Sequence, residues 1–264
     1  MISRTFAAMA YFRYLAKSGT RHSVHPPFAY KLVDEVLTNR KDHQAFHQIS
    51  ELRRNLSHNT QMIEITDFGT GKNHKGFSFR FESVSAIARQ TSINEKYGRT
   101  LFRLVEHFKP QTIIEFGTSL GISSLYLAMA QPDAQVFTIE GCTTKSEQAA
   151  TNFNSMQVSN IEQFIGRFDI VLPDVIKRAG RVDFAFIDGN HTYEATLSYF
   201  EALLQISNND TVFVFDDIHW SAGMQKAWNE ITEHEKVTTS IDLFRMGVVF
   251  LKKELSKQKF VIRY

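Results

Sequence analysis

Two stretches of the sequence gather carboxylates and imidazoles at spacings that could do chemistry. One reads Phe186-Ile187-Asp188-Gly189-Asn190-His191, the other Val214-Phe215-Asp216-Asp217-Ile218-His219-Trp220. Three carboxylates brought together repel unless one is protonated or a cation neutralises them. The chain has a single cysteine, Cys142, which excludes an internal disulfide and a cysteine-based zinc site. Oxygen ligands then favour a hard ion, Mg²⁺, Mn²⁺ or Ca²⁺, and Asp188, Asp216 and Asp217 are its candidate ligands. A plainer reading stands beside this one. Asp188 and Asp217 could cap the helices that follow, His191 could bond a backbone carbonyl, and His219 and Trp220 could be loop and packing residues.

A second kind of chemistry needs a backbone that approaches a ligand closely. Two glycine turns offer it: Asp67-Phe68-Gly69-Thr70-Gly71 and Glu115-Phe116-Gly117-Thr118-Ser119-Leu120-Gly121. Such a turn binds a cofactor only where a strand precedes it and a helix follows. After Gly71 comes the polar run Lys72 to Lys75, whereas after Gly121 comes an apolar helical segment, Ile122 to Ala130. The strand beyond that helix ends in Glu140, 23 residues after Gly117, near the offset of about 20 at which an acid meets ribose hydroxyls. The second turn is therefore the candidate cofactor site and the first a structural turn. Its spacing is Gly-x-x-x-Gly. The missing middle glycine is the one that admits a pyrophosphate, which argues against a dinucleotide, and Glu115 suits a cationic amino group better than a phosphate.

The elements that must position these residues read as an alternation. Strands are expected at 112–116, 135–140, 161–165, 182–188 and 211–216. Helices are expected at 122–130, 145–156, 193–204 and 222–234, with a short one ending at Ala179. Late strands follow at 236–242 and 247–252, with 260–263 as a further edge. Such alternation implies parallel βαβ units with ligands at the strand C-termini. Upstream, Ile2, Phe6, Met9 and Arg13 fall near helical spacing. His25-Pro26-Pro27 opens a second helix, a third runs from about Gln44 to Leu56, and a strand covers Ile63 to Phe68. The pattern turns helical from Phe81, and Ser92-x-x-Glu95 reads as a capping box for a helix that Pro110 closes. The expected division is an N-terminal helical extension with a short strand and turn, 1–91, and a Rossmann-like domain, 92–264.

Here the chain resembles a known family. Ile114-Glu115-Phe116-Gly117-Thr118-Ser119-Leu120-Gly121 is similar to motif I of the class I S-adenosylmethionine (SAM)-dependent methyltransferases, and Ile139-Glu140 to their ribose-binding acid. The resemblance implies an α/β fold: a Rossmann-like seven-stranded sheet, mostly parallel with its last strand antiparallel. It places Glu115, Gly117, Thr118, Ser119, Gly121, Glu140, Gly141, Phe168 and Asp188 against SAM. Phe168 would pack on adenine and Asp169 take a polar role there. More narrowly, the aspartates resemble the metal-dependent O-methyltransferases of the macrocin O-methyltransferase and cephalosporin-hydroxylase-like group. That implies Asp188, Asp216 and Asp217 as metal ligands, with Asp188 and His191 catalytic. The implied activity is O-methylation of a small-molecule hydroxyl, aided by Mg²⁺ (or Mn²⁺ or Ca²⁺) and a histidine base.

Bulk properties bound the reading. The 264 residues are 43% hydrophobic and 22% charged with 5 prolines, ordinary for a globular chain and unlike a disordered one. No apolar run approaches the roughly 18 residues of a membrane span and no signal peptide is evident, so the cytoplasm is the expected compartment. Charge is uneven: residues 1–110 carry a net +8 and residues 111–264 a net −6. A solvated helical surface accounts for this, and no RNA-binding signature favours a nucleic-acid partner. Aromatic residues of the first helices would suit a lid or a homodimer contact. Two other functions stay open: a non-catalytic SAM-binding or interaction protein, and a nicotinamide-dependent oxidoreductase, which the glycine spacing disfavours.

Overall fold

The structure is a computed structural model and describes residues 4–20, 24–67 and 78–264. Ile2, the Gly69/Gly71 turn and the Lys72–Lys75 run lie outside the described residues. The fold is mixed α/β with a mostly parallel, Rossmann-like sheet of eight strands, one more than expected. The chain divides into two compact units, residues 40–180 and residues 1–39 with 181–264.

The first unit holds α3 (Gln44–His58), the antiparallel ribbon β1 (Met62–Asp67) and β2 (Ser78–Ser83), α4 (Val84–Thr91) and α5 (Glu95–Phe108). It continues with β3 (Thr112–Phe116), α6 (Ile122–Ala130), β4 (Gln135–Glu140), α7 (Thr143–Ser155), β5 (Ile161–Ile165) and α8 (Phe168–Ala179). β3, β4 and β5 pair in parallel in that order. All five residues of β3 are buried, as a strand covered on both faces must be. β2 was not expected. Its Phe79 and Phe81 are exposed on a two-stranded ribbon, so their alternation reports a pleat with one open face rather than the start of a helix. The capping box at Ser92 does not form. Ser92 ends α4, and Asn94 starts α5 by accepting the Lys96 N–H at 3.0 Å. The helix closes on Lys109 in the left-handed region, φ 49°, just before Pro110.

The second unit opens with α1 (Arg4–Lys17) and α2 (Pro27–Leu32), which runs on as a π-helical turn over Val33–Leu37. It then holds β6 (Val182–Ile187), α9 (Tyr193–Leu204), β7 (Ser207–Asp216), α10 (Ala222–Glu233), β8 (Thr239–Asp242), β9 (Met246–Phe250) and β10 (Gln258–Val261). The order here is β6-β7-β9-β8-β10. β9 is the reversed strand, antiparallel to both β7 and β8, and β10 then pairs with β8 in parallel. The antiparallel strand is therefore not the last one: β10 is the additional eighth. Phe184, Phe186, Phe200, Phe213 and Phe215 are fully buried and form the core of this unit. Truncating one of them to alanine costs about 3–5 kcal/mol. The N-terminal helices belong to this core. The Tyr14 hydroxyl donates to the Ile262 carbonyl, Gly19 bridges Ile262, and Phe28 meets the Phe250 ring edge-on at 5.0 Å.

Candidate active site

In the first unit the glycine turn leaves β3 through three left-handed residues, Gly117 (φ 97°), Ser119 (φ 48°) and Gly121 (φ 82°). A Cβ at Gly121 would sit 2.4 Å from the Phe153 ring, so only glycine fits there. The turn is tied to the end of β4. Gly117 and Thr118 donate their N–H groups to the Ile139 carbonyl at 2.9 and 3.2 Å. Glu140, 9% exposed, accepts the Ser119 N–H at 2.7 Å on one carboxylate oxygen and the Cys142 N–H at 2.9 Å on the other. A carboxylate has about four lone-pair sites, so this one can accept further donors such as ribose hydroxyls. Gly141 lies between these two anchors in the sequence.

Glu115 faces another way. It is fully buried and accepts from the Ser124 hydroxyl and, at 2.7 Å, from Thr138 Oγ1, which bonds Thr118 Oγ1 at 2.6 Å. Burial pushes its pKa above the usual carboxylate range, against the pull of Ser123, Ser124 and Thr138. Glu115 therefore braces the turn from beneath through these hydroxyls. Phe168, at the start of α8, sets its ring edge-on to Phe116 at 5.6 Å. Asp169 is engaged by Arg167, whose Nε and Nη2 lie 3.1 and 2.8 Å from its two oxygens; that ion pair holds the Asp169 carboxyl below its usual range.

In the second unit, register brings the acidic residues together. Ile187 pairs with Phe215 in the parallel β6/β7 ladder, so Asp188 and Asp216 leave the sheet side by side, and their side chains hydrogen-bond. Asp216 is 6% exposed. Burial, then the neighbouring Asp217 charge, push its pKa up to about 7, against the pull of Arg245. His191 Nε2 lies 3.5 Å from Asp188 Oδ1, with its side chain 28% exposed. Loss of hydration lowers its pKa; Asp217 opposes this and Arg245 adds to it. The ring is thus neutral near pH 7 and able to take a proton. Asn190 (φ 51°) and Asp217 (φ 52°) adopt left-handed backbone, a strain of order 1–3 kcal/mol each that clusters at functional sites. Asp188 and Asp217 are not helix caps: Thr192 and Ser221 cap α9 and α10, accepting from the Ala195 and Met224 N–H groups.

A hard divalent ion needs several oxygens with open lone pairs converging on one point. Asp217 is already paired with Arg245, whose Nε and Nη2 lie 3.3 and 3.2 Å from its Oδ1. Among the described residues no group of three or more His, Cys, Asp or Glu is placed to hold a metal. As arranged, Asp188, Asp216 and Asp217 do not fit the expected ion.

Two residues of this region escaped the sequence reading. Arg245 sits in the β8–β9 turn, where the sequence showed only a hairpin. Asp242 ends β8, accepting from the Phe244 N–H at 2.8 Å and contacting His219 Nε2 at 2.7 Å. The His219 ring stacks on Phe244 at 5.4 Å. An acid at a strand end beside a histidine-bearing loop was the available signal, and the strand order needed to pair them was not in the sequence.

Comparison with known proteins bears on this region. Residues 114–218 match the sequence model of the methyltransferase domain family. This stretch is similar to the domain of methyltransferases. It runs from the glycine turn through His191 to the Asp216–Asp217 pair, and the match agrees with the expected class I methyltransferase. Similar solved structures agree on the fold. The O-methyltransferase TomG of Streptomyces achromogenes, solved with SAM, is 19% identical with a TM-score of 0.56, covering 80% of this chain and 91% of that one. An O-methyltransferase from Bacillus cereus, solved with S-adenosylhomocysteine (SAH), is 16% identical with a TM-score of 0.56, covering 83% and 94%. The SAH-bound methyltransferase PaMTH1 of Podospora anserina is 13% identical with a TM-score of 0.59, covering 87% and 98%. Among the described residues no helix is long and apolar enough to cross a membrane.

Proposed function

We propose that this protein is a SAM-dependent O-methyltransferase acting on a hydroxyl of a small molecule. The observation that carries the reading is the Glu140 carboxylate, fixed by the Ser119 and Cys142 N–H groups at the mouth of a glycine turn. Acceptor oxygens at the end of the second strand suit ribose hydroxyls, and the absence of a Cβ at Gly117 admits a ligand close to backbone. Glu140 would hold the ribose, with Gly117, Thr118, Ser119, Gly121 and Gly141 around the methionine and ribose portions. Phe168, edge-on to Phe116, would offer its face to adenine.

When bound, SAM supplies an electrophilic methyl group on a sulfonium. A hydroxyl is a weak nucleophile until its proton leaves. His191, kept neutral by its surroundings, takes that proton at Nε2 as the acceptor oxygen forms its bond to carbon. Asp188, 3.5 Å from the same nitrogen, stabilises the imidazolium that results. The cofactor would keep the electron pair of the broken C–S bond, and His191 returns its proton to solvent. Restraining the acceptor beside the methyl adds a proximity contribution of several kcal/mol.

Two further expectations belong to this proposal. One is a homodimer through the N-terminal helices, favoured by Met9 and Phe12, which are 51% and 70% exposed on α1. The other is the division of the chain at 91/92, tested by limited proteolysis with and without SAH.

The test is SAH release from SAM over a panel of small alcohols and phenols, with binding measured in parallel. Glu140→Ala is expected to weaken SAM binding at least tenfold, about 1.4 kcal/mol. Asp188→Ala is expected to spare binding and lower turnover. SAM binding without turnover on any acceptor would favour a non-catalytic SAM-binding protein, and NAD binding in place of SAM an oxidoreductase.

A further inference from the structure

Register fixes a contact at the aspartate edge that involves none of the expected residues alone. β7 and β9 run antiparallel with Asp216 opposite Met246, so the next residues, Asp217 and Arg245, face each other where the two strands part. The guanidinium sets Nε and Nη2 at 3.3 and 3.2 Å from Asp217 Oδ1. The Asp217 side chain is 15% exposed and the Arg245 side chain 47%, so the pair lies at the mouth of the edge. Main chain reinforces it: the Ile218 N–H donates to the Arg245 carbonyl at 3.3 Å. Both partners sit beside left-handed backbone, at Asp217 itself (φ 52°) and at Phe244 (φ 72°). Two turns are thus held in uncommon conformations with one ion pair between them.

A guanidinium keeps its charge at any physiological pH and presents a planar fork of donors. A divalent cation entering beside it would meet a fixed like charge and would have to displace it from Asp217. We propose that Arg245 is the built-in cation of this edge, occupying among Asp188, Asp216 and Asp217 the place of a hard divalent ion, so that the acceptor end works without a metal. The proposal rests on the reading of this edge as the acceptor end of a methyltransferase. In that role Arg245 is a positioning residue. It neutralises Asp217 and leaves Asp188 to serve His191.

The test needs no acceptor. The full chain is titrated with Mn²⁺ alone, and free ion is followed by electron paramagnetic resonance. The proteins are the wild type, Asp217→Asn, Arg245→Gln, Arg245→Lys and the double variant Arg245→Gln/Asp217→Asn. The expected result is no stoichiometric Mn²⁺ on the wild type or Arg245→Lys. Arg245→Gln should bind at least about tenfold tighter, and the added asparagine should cancel the gain. Arg245→Lys keeps the charge and serves where Arg245→Gln fails to fold. One Mn²⁺ per chain on the wild type, removed by Asp217→Asn, would overturn the proposal, as would an Arg245→Gln variant that is folded and binds no better than the wild type. SAH titration on the same samples separates this outcome from a failure of the methyltransferase reading: SAH binds and Mn²⁺ does not if both hold, and SAH fails to bind only if the broader reading is wrong.

Discussion

The glycine turn and the aspartate edge both gather carboxylates, and they treat them in opposite ways. At the turn, Glu115 and Glu140 are met by neutral donors, hydroxyls for one and backbone N–H groups for the other. Neither group depends on a mobile charge, and the result is a rigid cradle. At the edge, Asp188 meets His191 and Asp216, and Asp217 meets Arg245. Those partners titrate or carry charge. A cradle of fixed donors suits binding, whereas a set of coupled acids and bases suits proton movement. In the proposed function the same residue type would serve recognition in one unit and chemistry in the other.

The sharpest break of the comparison is at Gly121. Valine there must adopt a left-handed backbone and overlap Phe153, costing about 3 kcal/mol or more in strain and overpacking. SAH binding should be lost and the melting temperature should fall. A Gly121→Val protein that binds SAH like the wild type would show that the cradle does not depend on this geometry. Next comes His191→Ala, expected to lower turnover about 10²–10⁴-fold with SAH affinity within a factor of about two, read by steady-state kinetics and calorimetry. An equal loss in both would erase the division between binding and chemistry.

The smallest effect is electrostatic. Asp216 has its folded pKa raised to about 7, above the range of an unfolded carboxyl. The folded state then holds a proton that the unfolded state has released. Its contribution is present below the unfolded pKa, and stability falls as pH rises from about 4 to about 7. Glu115, also shifted upward, acts with the same sign. His191, shifted downward, acts with the opposite sign as pH rises toward its unfolded value. Asp216→Asn should therefore flatten the fall in melting temperature between pH 4.5 and pH 7 relative to the wild type, in thermal scans at constant ionic strength. An unchanged slope would mean that Asp216 is ionised throughout.

Much of the fold was legible because the buried strands alternate so regularly with helices. β3, α6, β4, β5 and α9 begin and end where the apolar runs do. The misses have local causes. Ser92 has the right spacing for a cap, yet Asn94 sits one residue before the helix and wins the competition for its first N–H groups. β2 is polar on one face and exposed on the other, a weak signal without its partner strand. The glycine turn was legible where spacing along one segment sets it, as at Gly117 and Gly121, and Glu140 is tied to it. The site was not legible where strand order sets it. Arg245 reaches Asp217 only because β9 inserts between β7 and β8, and Glu115 turns inward only because Ser124 and Thr138 wait beneath the turn.

Calorimetric titration of the wild-type chain with SAH, and separately with NAD⁺, tests whether the glycine turn and Glu140 hold a SAM-type nucleoside. One SAH bound per chain and no heat from NAD⁺ is the expected result. NAD⁺ binding with no SAH binding would contradict it.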